Sequence, residues 1–548
     1  MRLEGFTPYD PKDAEKYNKF RWWLGMTWGD VFDKATDLYP NKVRLVDDVA
    51  RYSYREMRNN VDRLSASLLR LGIERGDRVL VQLPNWHEYL FSFFALQKIG
   101  AVVVMLIPRH SQLEISHFAE LTGAKAWILP TRYGKIDYRP IVENVRKQNS
   151  RLKHIITVRG EWAGISKSFE GLLDEAELDQ AAIQAIGESR PDPMDVCQIM
   201  PTGGTTGMPK AAPRTHNDYL CNVEYHSRAW EITSNDTLLV VTPVAHGMAM
   251  HWGVGGAFFN YAGLVLLDST EPQKICETIE RQKITAMLSV PAIITRIVNL
   301  EDLPRYDLSS LKKISVGGAP STPELVRMAW QKLGVTYHNG LGSVEGTAAA
   351  TRTDDDIEII CHSVGTPICP YDTLKIIGPD GDELPTGQEG ELVSKGPGVF
   401  TGYFKSKDNA SVFTKDGFFR TGDVARKDEW GYVYITGRIK DIVNRGGEKI
   451  SAGEIENLMS THPGIESAAV IGMPDKVLGE RICAYVQSKP GEKNTFAEII
   501  AFLKAKGASL LQLPERIEFV DAIPLTNIGK PDKKALREDI RKRMGWKE

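Results

Sequence analysis

Thr202-Gly-Gly-Thr-Thr-Gly-Met-Pro-Lys210 places three glycines, three threonines and a lysine within nine residues. Gly203, Gly204 and Gly207 let the backbone turn and bring its N–H groups close to an anion. Thr202, Thr205 and Thr206 add hydroxyl donors, and Lys210 adds a point charge. The stretch predicts a phosphate-holding loop. It is not a Walker loop, which needs Gly-Lys-Ser/Thr five residues after its first glycine; here Met208 and Pro209 stand there and alanine follows Lys210. On nine residues alone an ordinary surface turn remains open, so the rest of the chain must decide.

The loop follows an apolar run, Val196–Met200, of the kind that forms a buried strand. Similar runs at 78–83, 101–106, 126–129 and 154–158 precede it, and others at 238–244, 263–267, 286–290 and 313–316 follow. Helical stretches separate them. One opens on Ser53-Tyr-Arg-Glu56, a capping box, and carries the stripe Met57, Val61, Leu64, Leu68. Strands too apolar to have a wet face, alternating with helices, predict parallel sheets covered on both sides. From about 371 to 437 the pattern becomes turn-rich and antiparallel, with Gly-Pro-Asp-Gly at 378–381. The last hundred residues read as a separate α+β unit opening on a second capping box, Ser451–Glu454. The expected fold is therefore α/β: two helix-covered sheet subdomains and a β-rich subdomain in residues 1–439, and a small α+β domain in 440–548.

At 548 residues the chain is too long for one core. Its formal charge of −3 gives no reason to expect nucleic acid or an anionic membrane as partner. The six cysteines form no CxxC pair, which argues for reduced thiols and against a zinc site. Met1–Asp10 lacks a signal pattern and no apolar run reaches about 18 residues. The expectation is a cytoplasmic protein without membrane insertion.

Four further blocks carry chemistry. Asn339-Gly-Leu-Gly-Ser-Val-Glu345 is by itself a near miss to a dinucleotide fingerprint. In Thr421-Gly-Asp423, with Arg438 fifteen residues on, the carboxylate suits a ribose diol and the guanidinium suits ribose or phosphate. Arg438–Lys449 contains Lys440 and the pair Gly446-Gly447, which lets a thin substrate arm pass close to the backbone. Thr526-Asn-Ile-Gly-Lys530 supplies a cation near the C-terminus.

With Thr202–Lys210, in this order, these blocks resemble the signature of the adenylate-forming superfamily, which includes acyl- and aryl-CoA synthetases, aryl-acid adenylating enzymes and nonribosomal adenylation domains. The resemblance implies ATP, Mg2+ and a carboxylic acid as reactants. It places the nucleotide against the Thr202–Lys210 loop, Gly318, Ala319, Asn339, Gly340, Leu341, Gly342, Asp423 and Arg438. Magnesium would be held by Glu345, and Lys530 is the catalytic lysine that stabilises the α-phosphate. Lys440 is the implied hinge, and Arg445, Gly446 and Gly447 would meet CoA or pantetheine. Two positions depart from the usual string: Leu341 replaces an aromatic and Val344 a threonine.

The resemblance places the acid at His246, beside the reacting carboxylate, and at Gly247, Met248, His251, Trp252, Gly317 and Gly318. Leu83-Pro-Asn85, Pro213-Arg-Thr-His216 and Arg445-Gly-Gly-Glu448 look most like the branch that activates 2,3-dihydroxybenzoate. That branch carries an asparagine after the histidine to bind the ring hydroxyls; here the position is Gly247. A site without hydroxyl partners disfavours a hydroxylated ring. The expectation is an aryl or alicyclic acid–CoA ligase acting on an apolar ring acid, with delivery to a phosphopantetheinyl carrier protein, or a medium-chain acid as substrate, as the alternatives. Spacing of five makes His246 and His251 a poor metal pair.

Overall fold

A computed structural model of the chain describes residues 3–202, 208–446, 448–526 and 530–546. Two sheets dominate it. One has nine strands, with Thr237–Val240, Gly263–Leu266, Ala286–Ser289, Lys313–Val316 and Thr336–Gly342 parallel at its centre. The other has seven, with Val196–Pro201, Val102–Met105, Arg78–Val81, Ala126–Pro130 and His154–Val158 parallel and Ala211–Thr215 antiparallel at one edge.

The central strands are apolar on both faces because helices cover both. Trp28–Leu38, Tyr54–Arg70, His87–Lys98 and His216–Ala229 fill the space between the sheets. One core there joins Val79 and Val103 of one sheet to Val240 and Leu264 of the other through Phe93, Phe94 and Phe258. Pro272–Gln282, Pro291–Val298 and Pro323–Leu333 close the outer face of the nine-stranded sheet. Gln112–Thr122 and Arg139–Gln148 close that of the other. The layers run αβαβα, as the alternation predicts. The Ser53 box forms in both directions, Glu56 N–H to Ser53 Oγ and Ser53 N–H to the Glu56 carboxylate. No described helix is long and apolar enough to cross a membrane.

The turn-rich stretch forms a four-stranded antiparallel sheet of Thr373–Ile377, Gly390–Lys395, Phe419–Lys427 and Val433–Arg438. A short turn, Ile439–Asp441, leads from its last strand into the C-terminal unit, whose five-stranded sheet carries Ala452–Ser460 and Phe496–Ala505 on one face and Lys533–Arg543 on the other. The second capping box is only half made. Glu454 N–H reaches Ser451 Oγ, but the Glu454 carboxylate accepts from Gln512 Nε2 at 2.7 Å, so a tertiary partner has taken the side chain that would close the box. All six cysteines are free and buried, although Cys221 and Cys369, distant in sequence, bring their Sγ atoms within 3.8 Å.

Asp372, buried at the entry to the antiparallel sheet, accepts the Gly398 N–H at 3.0 Å, while its other oxygen has no partner among the described residues. Burial pushes its carboxyl up to about 7, against the opposing pull of the Gly398 N–H and Arg214. Between an unfolded value near 3.8 and about 7 the native state binds the extra proton, so stability falls as pH rises through that window. Asp372→Asn is expected to remove about 2–4 kcal/mol of that pH-dependent loss. Urea unfolding at pH 5 and pH 8 checks this; an unchanged slope in the variant would assign the pH dependence elsewhere.

Candidate active site

The phosphate-loop candidate connects two antiparallel strands, Val196–Pro201 and Ala211–Thr215, and its ends are closed by bonds from Thr202 N–H to the Lys210 carbonyl (2.8 Å) and from Lys210 N–H to Thr202 Oγ1 (3.2 Å). Gly203, Gly204, Thr205, Thr206 and Gly207 lie outside the described residues. The Lys210 ammonium rests 4.8 Å from the centre of the Tyr403 ring, and the Tyr403 hydroxyl donates to Glu345 Oε1 at 2.7 Å. Burial, then the Glu345 charge, hold the phenol well above the usual tyrosine range, so it stays a donor. Tyr403 thus joins the loop's cation to the candidate metal ligand across nearly two hundred residues. Nothing local in Gly402-Tyr-Phe marks it, and the sequence reading missed it.

Glu345 is buried, with one oxygen engaged by a neutral phenol. A hard carboxylate of this kind fits Mg2+, which is commonly held by one or two carboxylates together with substrate phosphates. Among the described residues the one cluster with metal-ligand spacing is Asp47, His87 and Glu88, where Arg159 already pairs with Glu88 at 2.7 Å and with Asp47. It includes neither His246 nor His251.

The adenine-side candidates gather at the C-terminal ends of adjacent parallel strands, where open α/β sheets take ligands. Gly318 (φ +82°) and Ala319 are exposed just past Lys313–Val316, and Gly317 is buried. Asn339 is buried and its Nδ2 donates to the Ser363 carbonyl (2.9 Å) and to Ile360 (3.4 Å), so what it offers a base is its carboxamide oxygen. Gly340 and Gly342 flank Leu341, which packs partly on the cluster beneath the antiparallel sheet. Arg214 fixes the following loop by donating to the Val344 carbonyl at 2.9 Å.

Nδ1 of His246 accepts the Met248 N–H at 3.3 Å, which leaves the ring proton on Nε2. Burial, and secondarily the Lys530 charge, push this imidazole down to about 4. It is therefore a neutral donor at physiological pH, suited to a carboxylate oxygen. A Cβ on Gly247 would lie 3.2 Å from Val344 Cγ1 and 3.5 Å from Met200 Sδ, so apolar atoms border the place of the missing side chain. Residues Ala249–Gly255 form a π-helix, a rare form concentrated at functional sites. On it, Trp252 turns toward Gly317 and Gly340. His251 packs instead in the layer toward the helix His216–Ala229, 5.4 Å from the Tyr219 ring and 5.6 Å from His226.

Asp423 and Arg438 are direct cross-strand partners, and Arg438 Nε donates to the Asp423 carboxylate at 2.8 Å. Burial raises the Asp423 carboxyl, while Arg438 and then Lys530 lower it. Lys530 ends a small hairpin closed by Thr526 N–H to the Lys530 carbonyl (2.7 Å); Asn527, Ile528 and Gly529 lie outside the described residues. The residue keeps solvent-exposed surface, yet enough protein surrounds the ammonium for desolvation, followed by Arg438, to lower its pKa, with Asp423 opposing. The C-terminal unit thus brings Lys530 close enough to influence both His246 and Asp423 of the large unit.

The turn that carries Lys440 is held from the terminal helix. Asp441 pairs with Arg537 (2.8 Å) and Lys533 (3.3 Å), and Arg537 also donates to the Lys440 carbonyl at 3.1 Å. Gly446 takes φ +61°. Arg445, expected near a thiol arm, is tied by its Nε to Glu515 at 2.6 Å; Gly447 lies outside the described residues.

Family models described as AMP-binding enzyme and AMP-binding enzyme C-terminal domain match residues 32–404 and 454–530. The chain is 36% identical to the 2,3-dihydroxybenzoate-AMP ligase of Bacillus subtilis over 99% of both chains. It is 35% identical to the salicyl-AMP ligase / salicyl-S-ArCP synthetase of Mycobacterium tuberculosis, over 97% of this chain and 94% of the relative. Among solved structures, apo MbtA of Mycobacterium smegmatis superposes with a TM-score of 0.74 at 32% identity, over 98% of this chain and 99% of that one.

Proposed function

The chain belongs to the AMP-binding enzyme family, in the neighbourhood of its aryl-acid AMP ligases, and on that premise we propose that it activates an aryl acid as its adenylate and delivers the acyl group to the phosphopantetheine thiol of a carrier protein. The observation that carries the reading is the placement of Lys530, from one unit, within electrostatic reach of His246 and Asp423 of the other. Such a placement suits the first half-reaction. Asp423 and Arg438 hold the ribose, and the loop ending at Lys210 holds the phosphates. Neutral His246 donates through Nε2 to the acid's carboxylate, and Lys530 offsets charge on the α-phosphate in flight. Magnesium at Glu345 would neutralise phosphate charge. A carboxylate oxygen bonds to the α-phosphorus as the bond to pyrophosphate breaks.

In the second half-reaction the C-terminal unit turns about Lys440, withdraws Lys530 and presents the Gly446-Gly447 segment. A thiol sulfur then bonds to the adenylate's carbonyl carbon, its proton passes to solvent, and AMP leaves with the electron pair. The carrier-protein acceptor is preferred to the free CoA expected from sequence because one of the two relatives described above is named for S-ArCP chemistry and the other for the AMP-ligase step without CoA. Gly247, bordered by Val344 and Met200, supports a ring with few hydroxyls.

Acid-dependent ATP–pyrophosphate exchange across benzoate, salicylate and 2,3-dihydroxybenzoate, followed by thioester formation on a phosphopantetheinylated aryl carrier protein or on CoA, tests both halves. Exchange with an aryl acid and a kcat/KM at least about ten times higher for the carrier are expected, about 1.4 kcal/mol of discrimination. CoA turnover equal to or above the carrier's would move the acceptor back to CoA. Exchange strongest with the dihydroxylated ring would overturn the role given to Gly247.

A further inference from the structure

Residues 400–404 bridge two parts of the candidate site. Phe400 N–H donates to the Glu345 carbonyl and Phe404 N–H to the Ala211 carbonyl, each at 2.8 Å. The segment therefore spans from the loop carrying the candidate metal ligand to the strand that leaves Lys210. Tyr403, between these bonds, is pinned twice by one side chain: its N–H donates to Asn409 Oδ1 (2.8 Å) and its carbonyl accepts from Asn409 Nδ2 (2.9 Å). Gly402 leaves room for that amide, since a Cβ there would stand 2.9 Å from Asn409 Nδ2. Tyr403 is 7% exposed, and its ring packs edge-on against Phe400 with centroids 5.0 Å apart. Backbone and ring are both fixed, so the phenol offers its hydroxyl and its face at set positions.

What meets those two positions is opposite in charge. The hydroxyl donates to Glu345 Oε1 at 2.7 Å, and the Lys210 ammonium lies 4.8 Å from the ring centre. Opposite charges this near in a partly buried site attract each other more strongly than a ring face holds a cation. A direct Lys210–Glu345 pair would neutralise both, leaving no carboxylate for a divalent cation and no ammonium for phosphate. In the structure each meets the phenol instead. Tyrosine serves both at once: its hydroxyl donates to a carboxylate, and the negative face of its ring accepts a cation.

We propose that Tyr403 is a positioning residue that keeps Glu345 and Lys210 from pairing with each other, so that the carboxylate stays available to a divalent cation and the ammonium to nucleotide phosphate. The inference rests on the placement of ATP and Mg2+ given above and adds the residue that holds their two ligands apart. It is independent of which acid is activated and of which thiol receives it.

The test compares wild type, Tyr403→Phe, Glu345→Gln and the double variant as full chains. Phenylalanine keeps the ring and its volume, so circular dichroism should be unchanged. Isothermal titration calorimetry gives the ATP affinity without acid, in EDTA and over a series of Mg2+ concentrations. In Tyr403→Phe the Mg2+ concentration that gives half of the tightening should rise about 10–100-fold, the usual effect of losing a hydrogen-bond partner behind a metal ligand. Exchange at saturating Mg2+ should keep kcat and the KM for the acid within about threefold of wild type. In EDTA, where no metal takes part, Tyr403→Phe should weaken ATP binding about three- to tenfold, because the released Glu345 captures Lys210. In the Glu345→Gln background the same change should weaken it less than about twofold, since no charge remains to capture the lysine.

An unchanged Mg2+ requirement in Tyr403→Phe, or tighter ATP binding by that variant in EDTA, would overturn the inference. So would equal weakening in both backgrounds, which would give the hydroxyl a merely structural role. Wild type that binds ATP no more tightly in Mg2+ than in EDTA would overturn the metal placement and the inference with it. Absence of exchange with every aryl acid would overturn the aryl-acid reading alone, because calorimetry without acid still decides the role of Tyr403.

Discussion

Lys530→Ala is expected to slow adenylate formation about 10²–10³-fold, the loss typical of removing one preorganised group that stabilises transition-state charge. Two anions, a carboxylate and the α-phosphate, must meet in that step, and Lys530 is the cation that the C-terminal unit contributes beside Asp423, Arg438 and His246. The residue keeps exposed surface and closes a hairpin through its backbone, so its side chain bears little on folding. The melting temperature should therefore stay within about 2 °C, as for other surface substitutions. The decisive comparison separates the half-reactions. Single-turnover adenylate formation should collapse, whereas thioester formation from synthetic acyl-adenylate should fall less than about threefold, because in the proposed mechanism that step takes place with Lys530 withdrawn. Equal losses in both halves, or none in the first, would remove the role assigned to Lys530.

Arg214→Met should destabilise the large unit by about 3–5 kcal/mol, the usual consequence of leaving one partner of a buried ion pair without the other. Arg214 donates through Nε to Asp218 at 2.5 Å, and both side chains are almost wholly buried. Asp218 is also the carboxylate of a capping box, accepting the N–H and hydroxyl of Thr215 at the start of the helix His216–Ala229. The guanidinium further donates to the carbonyls of Val344 and Gly398 and so ties that helix to the loop carrying Glu345. Denaturant unfolding measures the loss. Combining Arg214→Met with Asp218→Asn should recover part of it by removing the stranded charge while keeping a capping side chain. A single-variant loss below about 1 kcal/mol would show that the pair is not a structural tie.

What was legible in the sequence was mainly what repeats or caps locally. The Ser53–Glu56 box, the stripe from Met57 to Leu68 and the apolar strands all appear near their predicted places because each depends on neighbours a few residues away. The blocks around 202, 339, 423 and 530 were also readable, since their glycines, acids and lysine are close in sequence. Contacts across long separations left no such trace. Tyr403 meets Glu345 and Lys210 only after the fold is complete. The π-helix at Ala249–Gly255 has no compositional mark, and the Glu454 side chain was diverted by Gln512, which the local pattern could not register. His251 is among the residues that the resemblance puts at the acid, whereas its ring packs against Tyr219 and His226.

The connection between the two units has a mechanical consequence. Arg438 is moored on one side by Asp423, and Asp441 on the other by Lys533 and Arg537 of the terminal helix. Ile439 and Lys440 stand between the moorings, and the Lys440 carbonyl is itself held by Arg537. A joint this short transmits torque with almost no slack: it permits large rotation and little translation. If the C-terminal unit alternates as proposed, it behaves as a turret on a fixed bearing, showing one face or the other to the same spot, and Lys533 and Arg537, far along the chain, set how tightly that bearing is seated.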